Sequence, residues 1–461
     1  RLAMRGSAFL CLAILLVSAS LLLLNLQACG GKAPGIIPQD KIQHVVIIVQ
    51  ENRTPDNLFH DPALIAKGAD IASSGVNSAG QTIPLTPVPL AITYDLSHQH
   101  AAFTAMYDGG KMDGADKVPV FCVPDCPPPN AQFKYVRPSD VRPYFQIAEQ
   151  YAFGDRMFQT NQGPSFPAHQ FILSGTSAPT ATSKLFAAEN TSGGTGCAAP
   201  PGASVMMIDA NGDESGSMYP CFEHPTLTDE LNARHISWRY YAPNANSIWT
   251  APNAIQHMCG PNAAPPNATA CLGSDWVNNV VLRPTQILTD IANHQLSSVS
   301  WVIPIGKNSD HPGGTIDEGP SWVASVVNRI GASSYWPNTV IIITWDDWGG
   351  WYDHVPPPAI IQDGGWGSGY VYGFRVPLIV VSPYTKAGYI SHATHDFGSI
   401  LNFTEQVFGL DSLGYADARA DNLADCFNFI QAPLVFRKIE APLSAEHFLN
   451  DHEPPTDPDN D

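Results

Sequence analysis

The chain has 461 residues, a formal net charge of −19 at neutral pH and 44% hydrophobic residues. This acidity argues against nucleic acid as a partner, and the hydrophobic content is sufficient for a large packed core. The length indicates either one large α/β domain or two domains of ordinary size.

The N-terminal segment has the features of a targeting signal. Two arginines carry its only charges, and an apolar run follows over 8–24. Residues 26–29, Leu-Gln-Ala-Cys, resemble a lipobox, at which bacterial lipoproteins are cleaved and lipidated on Cys29. The alternative is an uncleaved membrane anchor, since the run is almost long enough to span a bilayer. We predict a signal peptide over 1–28, a lipid-anchored linker over 29–40, and export to the periplasm or cell surface.

The patterns along the chain predict alternating strands and helices. Apolar runs predict strands over 44–50, 236–241, 299–305, 340–343 and 376–383, and helical features occur within 139–158 and over 170–174, 226–233, 322–330 and 397–408. Two segments rich in small and polar residues, 185–222 and 242–275, are predicted to be loop-rich insertions. Residues 441–461 are predicted to form an acidic tail, disordered from residue 454 onward.

Two of the predicted strands end in oxygen-bearing side chains. Glu51 and Asn52 directly follow the first strand, and Asp346 and Asp347 follow the strand over 340–343. Adjacent carboxylates repel each other unless a cation lies between them, and a divalent metal is the usual cation. A parallel sheet would bring these four side chains around one metal at its carboxyl edge. The alternatives are a solvated Asp-Asp turn and a helix-capping role for Asn52.

A serine lies at a tight turn before a predicted helix. Ser165 follows Gly-Pro at 163–164, and the helix is predicted over 170–174. A hydroxyl held at such a turn can project into a site, and a helix N-terminus favours an anion such as phosphate. The alternative interpretation is a helix cap, which is the most frequent use of serine in a turn.

Seven cysteines follow Cys29, and export permits disulfides. We predict three bridges that close local loops and one buried, unpaired thiol: Cys122–Cys126, Cys197–Cys221, Cys259–Cys271 and free Cys426. A zinc site is the rival interpretation, but the sequence has no CxxC pair or matching histidine spacing.

Six stretches together resemble one known family. In chain order they are QENR at 50–53, DLSH at 95–98, GGKMDG at 109–114, SDHP at 309–312, WDDWGGWYDH at 345–354 and RVP at 375–377. They are similar to the phosphoesterase family of bacterial phospholipases C and related acid phosphatases. The resemblance covers about residues 41–412, and we assign the phosphoesterase domain to 41–440.

The resemblance implies a three-layer α/β/α sandwich with a mostly parallel central sheet, like that of alkaline phosphatase, with loop-rich insertions. It also implies one divalent metal ion at the edge of the sheet. The implied metal ligands are Glu51, Asn52, Asp346, Asp347 and Ser165.

The resemblance also implies catalytic roles for four residues. Ser165 matches the family nucleophile, which is often threonine in the phospholipases and serine in the acid phosphatases, so this position leans towards the latter. His98 and His311 are implied to lie near the phosphate. His354 also matches a family position, and we include it among the catalytic residues, with a structural role as the alternative.

The predicted function is therefore metal-dependent hydrolysis of a phosphoester, either in a phospholipid head group or in a phosphomonoester. A protonated histidine would donate to the leaving oxygen, which favours mildly acidic pH. The membrane would be reached through the lipid anchor, and no nucleic acid is involved. The alternative is an exported lipoprotein that binds a phosphorylated ligand without turnover. Contact between Ser165 and the metal discriminates the two, because a binder needs no hydroxyl there.

Overall fold

The computed structural model describes residues 35–123, 126–360 and 372–455, and the described residues from Ile37 onward form one compact unit. The predicted signal peptide, the lipobox and the end of the predicted tail lie outside the described residues. Within those three described ranges, no helix combines the length and the hydrophobicity that crossing a membrane requires.

The central sheet has nine strands among the described residues. They are β1 (His44–Gln50), β2 (Ala152–Phe158), β3 (Trp238–Tyr241), β4 (Val280–Val281), β5 (Val299–Val302), β6 (Thr339–Trp345), β7 (Arg375–Val381), β8 (Tyr389–Ser391) and β9 (His395–Asp396). Their order is β4-β3-β5-β1-β6-β7-β2-β8, with β9 also paired to β2. Strand β7 is antiparallel to both β6 and β2, whereas the other pairings are parallel. The predicted mostly parallel sheet is confirmed.

The middle strands are apolar on both faces. Every residue of β6 and β7 is buried, as is every residue of β1 except His44. Such strands require cover from both sides, which is typical of a parallel sheet between two layers of helices.

Thirteen α-helices lie in the described part of the chain. They are α1 (Pro55–Leu58), α2 (Pro62–Ala66), α3 (His100–Tyr107), α4 (Arg142–Gln150), α5 (Ser165–Ser174), α6 (Leu227–Ala233), α7 (Gln256–Cys259), α8 (Ser274–Asn279), α9 (Gln286–Ala292), α10 (Gly319–Gly331), α11 (Phe397–Phe408), α12 (Ala416–Arg419) and α13 (Ala445–Leu449). In one group α4 and α9 pack on α10, with α2 and α13 beside them; in a second group α6 and α11 pack on α5, with α12 on α11. With the sheet buried on both faces, the two groups form the outer layers of the predicted α/β/α fold.

Small sheets and short 3-10 helices lie in the segments outside the central sheet and its helices. The two-stranded pairs are Ser74–Val76 with Thr82–Pro84, Thr86–Val88 with Lys134–Val136, and Tyr94–Leu96 with Val120–Cys122; Phe186–Ala187, Val205–Ile208 and Glu214–Met218 form a three-stranded sheet. The 3-10 helices are Asp108–Gly110, Ala115–Lys117, Ala251–Ala254, Gly306–Asn308, Trp336–Asn338 and Ala424–Cys426.

The predicted cysteine pairing is confirmed. Disulfides join Cys122 to Cys126, Cys197 to Cys221 and Cys259 to Cys271. Among the described cysteines, Cys426 is free, and its side chain is fully buried. The bridges therefore close the loop-rich excursions and leave one thiol inside the protein.

Two segments differ from the sequence prediction. The helical features within 139–158 continue only to Gln150, and residues 152–158 form β2 between β7 and β8. Gly154 lets β7 approach, because a Cβ there would lie 2.9 Å from Leu378 Cδ2. Sheet pairing thus overrides local helix propensity. The predicted tail contains α13, whose buried Phe448 packs edge-on against Trp322.

Candidate active site

The pairing of β1 with β6 brings the two predicted metal-binding pairs to one edge of the sheet. Gln50 is the register partner of Trp345, so the next residues on the two strands are neighbours. The Asp346 amide donates to Gln50 O at 2.9 Å, and the Arg53 amide donates to Asp347 O at 3.0 Å. The two strand ends are therefore tied together where the acidic side chains begin.

The backbone after β1 turns sharply at Asn52. Its φ of 62° lies in the left-handed region, which asparagine tolerates better than most residues. The Asn52 and Asp347 amides both donate to Asp346 Oδ1, at 3.0 and 2.7 Å. Gly349 is required opposite this turn, because a Cβ there would lie 2.3 Å from Asn52 O. These contacts orient the Asp346 carboxylate and leave its Oδ2 pointing away from the backbone amides.

Ser165, although distant in sequence from Glu51 and Asp347, also belongs to this cluster. Helix α5 begins at Ser165 itself, earlier than the predicted start at residue 170. The backbone N–H of Phe166 donates to Asn190 Oδ1 at 2.9 Å. Ser165 Oγ donates to Asp347 Oδ2 at 3.0 Å and lies 3.4 Å from Glu51 Oε2. The structure thus brings all five predicted metal ligands into one buried cluster.

His169 also belongs to the cluster, although the sequence interpretation did not assign it a role. Its Nε2 lies 3.2 Å from Glu51 Oε1 and 3.9 Å from Asp346 Oδ2, and the residue is fully buried. His169 follows Ser165 by four positions on α5, so both side chains lie on the same helix face. That spacing is the sequence signal that would have found it, had the helix been predicted to begin at Ser165.

The cluster fits a divalent metal. Within the described part of the chain, Asn52 Oδ1 and Asp346 Oδ2 are buried without a hydrogen-bond partner. Buried polar atoms are rarely left in this state, and both oxygens are suitable ligands for a hard cation. Glu51, His169 and Asp346 each offer a ligand atom, all within 4.8 Å of one another. The neighbouring carboxylates would repel each other less with a cation between them.

His98 lies beside the cluster. Its Nδ1 is 3.0 Å from Leu96 O, so Nδ1–H donates to that carbonyl and the neutral ring accepts at Nε2. Asn52 Nδ2 lies 3.3 Å from that Nε2. His98 therefore contacts Asn52, and its place near the phosphate stays a prediction.

His311 faces His98 across the site. The two ring centroids are 6.1 Å apart and the rings are nearly perpendicular. His311 Nδ1 lies 2.7 Å from Pro312 O and is engaged by that carbonyl. The other ring nitrogen, Nε2, is buried and has no hydrogen-bond partner among the described residues. Trp249, from the predicted insertion 242–275, lies with its ring centroid 6.1 Å from that of His311. The insertion therefore reaches the site.

A buried ionic network holds the loop that carries His311. Arg53 donates from Nε and Nη2 to Asp310 O, at 2.8 and 2.6 Å. The Asp310 carboxylate accepts from Tyr144 OH at 2.7 Å and from Trp345 Nε1 at 3.0 Å. Burial raises the pKa of Asp310 to about 6, against the opposing effect of these donors and of Arg53. The network fixes His311 relative to β1 and β6.

His354 lies in a different set of contacts. Its Nδ1 is 2.7 Å from Asp56 Oδ2 and its Nε2 is 2.9 Å from Asp70 Oδ1, so both ring nitrogens are engaged. Arg375 pairs with Asp56 and Asp353 in the same network. Burial lowers the pKa of His354, but the hydrogen bond and charge of Asp56 outweigh burial and raise the pKa to about 9. The structure does not bring His354 into contact with the Ser165 cluster, and its catalytic role stays a prediction.

Sequence comparison finds relatives over most of the chain. A model of the Phosphoesterase family matches residues 42–411. The chain is 25% identical over 417 residues to a hemolytic phospholipase C of Pseudomonas aeruginosa, covering 80% of this chain and 53% of that protein. It is 24% identical over 453 residues to phospholipase C B of Mycobacterium tuberculosis, covering 88% of this chain and 80% of that protein. The chain thus spans about half the length of the Pseudomonas relative.

The fold of this chain resembles solved structures only weakly. A protein of the alkaline phosphatase superfamily from Vibrio parahaemolyticus gives a TM-score of 0.36 at 10% identity, covering 84% of this chain and 72% of that one. Murine ectonucleotide pyrophosphatase/phosphodiesterase 5 gives 0.38 at 8% identity, with 84% and 100% covered. Likenesses of this degree carry no weight in the assignment, which rests on the family model. Since that model matches well over half of the sequence, the chain belongs to the Phosphoesterase family.

Proposed function

We propose that this chain hydrolyses phosphoester bonds, with Ser165 as nucleophile and with a divalent metal bound by Glu51, Asn52, Asp346 and Asp347. One observation carries the proposal: the Ser165 hydroxyl contacts two of the carboxylates in this set, Asp347 and Glu51. A protein that only captured a phosphorylated ligand would have no need of a hydroxyl at that point. Membership in the family and the phospholipases C among the relatives support the same reaction.

The surroundings of the Ser165 hydroxyl support its proposed role as the nucleophile. Ser165 Oγ–H points at Asp347 Oδ2, so the hydroxyl proton has an acceptor at 3.0 Å when the oxygen attacks. The bond from Ser165 Oγ to phosphorus forms as the bond to the leaving alcohol breaks, which gives a phosphoseryl intermediate. A bound divalent metal would neutralise negative charge on the phosphoryl group.

The leaving alcohol needs a proton, and His98 and His311 are the candidates. Each ring directs Nδ1–H to a backbone carbonyl, Leu96 O for His98 and Pro312 O for His311. The exchangeable proton of either imidazolium is therefore the one on Nε2. Water then attacks phosphorus and the same neutral histidine accepts a proton from that water, while the bond from phosphorus to Ser165 Oγ breaks and Asp347 returns the proton to Oγ. Such general acid–base assistance contributes about 10²–10⁴-fold to rate.

Two features support different substrates within this class. The phospholipase C relatives support a phosphodiester that links a head group to a lipid. Serine rather than threonine at position 165 supports a phosphomonoester. The proposal also includes export and lipid anchoring through Cys29, since residues 26–29 resemble a lipobox.

Two chromogenic substrates compared side by side test the proposal. p-Nitrophenyl phosphate reports monoester cleavage and p-nitrophenylphosphorylcholine reports diester cleavage. We expect hydrolysis of at least one, loss after treatment with a chelator, and recovery when a divalent metal is restored. Metal-replete protein that binds metal but cleaves neither substrate would overturn the proposal and favour the phospho-ligand binder.

A further inference from the structure

A second group of metal-binding side chains lies at the edge of the central sheet. His395 in β9 and Asp425 and Cys426 in the 3-10 helix Ala424–Cys426 each offer one ligand atom, all within 4.8 Å of one another. His395 and Cys426 are fully buried, whereas the Asp425 side chain is 31% exposed. The group therefore has three donor types, nitrogen, oxygen and sulfur, and one side open to solvent.

Asp421 orients the imidazole of this group. His395 Nδ1 lies 2.9 Å from both carboxylate oxygens of Asp421, so Nδ1–H donates to that carboxylate. His395 Nε2 lies on the side of Asp425 and Cys426 and is 2.9 Å from Ser391 Oγ, so a metal would replace this hydrogen bond. Histidines that bind metals are held in this way, with a carboxylate on the remote nitrogen that fixes the tautomer and raises the basicity of the ligating one.

The Asp425 carboxylate is also oriented. Its Oδ2 accepts hydrogen bonds from Ser391 Oγ and, at 3.3 Å, from Tyr389 OH. Its Oδ1 lies 3.7 Å from Cys426 Sγ and 3.8 Å from His395 Nε2. Ligand atoms on a tetrahedral zinc ion stand about 3.4–3.6 Å apart, given zinc–ligand bonds of about 2.0–2.3 Å. Small side-chain shifts would bring these three atoms to that spacing.

The donor set differs from that of the candidate active site. Oxygen ligands dominate around Ser165, which suits a hard cation, and among the described residues no sulfur atom belongs to that cluster. A thiolate with an imidazole and a carboxylate is a set that zinc prefers. Cys426 supplies the sulfur because, of the described cysteines, it is the one that forms no disulfide.

We propose that His395, Asp425 and Cys426 bind one zinc-type divalent cation, with Asp421 as the orienting residue and Ser391 Oγ or water in the fourth position. On binding, the Cys426 thiol and the Nε2 position of His395 release their protons to solvent, so that a thiolate and a neutral imidazole bind the cation without any change of its oxidation state. The ion would join β8 and β9 at the edge of the sheet to the segment after α12. Its role would be structural, separate from hydrolysis.

Cobalt titration of the full-length protein tests this site. Co²⁺ bound to a thiolate gives sulfur-to-cobalt charge-transfer absorption in the near ultraviolet, which ligands at the Ser165 cluster cannot produce. In buffer without reductant, so that the three disulfides stay closed, we expect this absorption to saturate at the intensity of about one thiolate-bound Co²⁺ per chain, while the Ser165 cluster takes up Co²⁺ without it. Zn²⁺ should displace the Co²⁺ and remove the absorption.

Single substitutions test which residues give rise to the cobalt absorption. Cys426→Ser should abolish the absorption while keeping phosphoester hydrolysis, and Asp421→Asn should weaken Co²⁺ binding about 10–100-fold. Cys29→Ser, which removes a thiol elsewhere in the chain, should leave the absorption unchanged. Absence of thiolate absorption in folded wild-type protein at saturating Co²⁺, or its survival in Cys426→Ser, would overturn the proposal. Should Cys426→Ser fail to fold, the wild-type titration and the Asp421→Asn shift still decide it.

Discussion

Ser165 Oγ lies 3.0 Å from Asp347 Oδ2, although 182 positions separate the two residues in the chain. One residue begins helix α5 and the other follows strand β6, so the contact exists only because the helix terminus meets the carboxyl edge of the sheet. A hydroxyl donated to a carboxylate in a buried site is an arrangement in which the oxygen can lose its proton during attack.

Ser165→Ala should lower kcat by about a thousandfold or more, because no other nucleophile except water can replace the hydroxyl. Metal binding should weaken modestly, since the hydroxyl is one of the predicted ligands, and Ser165→Thr should keep partial activity. A matched control is Ser174→Ala, which removes a buried hydroxyl of the same helix that lies within hydrogen-bond distance of two backbone carbonyls, Gln170 O and Thr176 O. Acid-quenched wild-type protein should carry phosphate on Ser165 by mass spectrometry. Near-wild-type hydrolysis by Ser165→Ala would instead make water the direct nucleophile.

Asp346→Asn should release the metal and abolish activity. Asp346 Oδ1 accepts hydrogen bonds from two backbone N–H groups, while Oδ2 has no hydrogen-bond partner among the described residues. The asparagine side chain would have to turn its NH₂ group either towards those N–H donors or into the metal position. Elemental analysis after dialysis measures the loss, and Asp347→Asn should behave in the same way. Asp290→Asn removes a buried carboxylate that pairs with Arg239, and its metal content should match the wild type. Full metal content in both site variants would rule out the predicted ligand set.

His169→Gln should weaken metal binding about 10–100-fold, because the imidazole Nε2 holds Glu51 Oε1 at 3.2 Å and neighbours Asp346. Activity should recover at high metal concentration, since the nucleophile remains in place. Competition with a chromogenic chelator measures the metal affinity directly. An unchanged affinity would restrict His169 to packing within α5.

Substitution of His98 or His311 should affect substrates according to their leaving group. p-Nitrophenolate leaves readily without a proton, whereas an alkyl alcohol needs one. For the histidine that acts as general acid, the alanine variant should lose about 10²–10⁴-fold on an alkyl phosphoester but much less on the p-nitrophenyl ester. Equal losses on both substrates for both variants would mean that neither ring donates to the leaving oxygen.

His354 should make stability depend on pH. Its folded-state pKa is raised to about 9 from an unfolded value of about 6.5, so its stabilising contribution is complete below pH 6.5 and is lost as the pH rises through 9. The loss is at most about 3 kcal/mol. Urea unfolding of wild type and His354→Gln at several pH values should give a difference that shrinks over this window.

The same variant tests the predicted catalytic role of His354. If both ring nitrogens serve only the network with Asp56 and Asp70, His354→Gln should keep kcat at temperatures where it remains folded. A loss of kcat without loss of metal or fold would support the catalytic prediction instead.

Much of the site was predictable because its residues follow elements with a strong local pattern. The β-branched runs before Glu51 and Asp346 predict buried strands, and parallel pairing places strand ends together. Ser165 was found from a turn and from the family resemblance. The lipobox over 26–29 lies outside the described residues and stays a prediction.

Other features had no local signal of this kind. His169 was missed because α5 was predicted to begin five residues too late, which hid its spacing from Ser165. Residues 152–158 end the segment whose helical features centre on 144–151, but they form β2, since two neighbouring strands supply backbone partners that a helix cannot use. The contacts of His354 with Asp56 and Asp70 join positions 298 and 284 residues apart.

The family, the mostly parallel sheet and the three disulfides could be predicted from the chain alone, because each follows from short stretches with a strong local pattern. Which side chains meet depends on the packed fold. It brought Ser165 to Asp347 and His169 to Glu51, placed His354 in an ionic network of its own, and gathered His395 with Cys426. Such contacts depend on how helices pack against the edge of the sheet. Packing between residues far apart in sequence produces no periodic pattern from which the contact could be predicted.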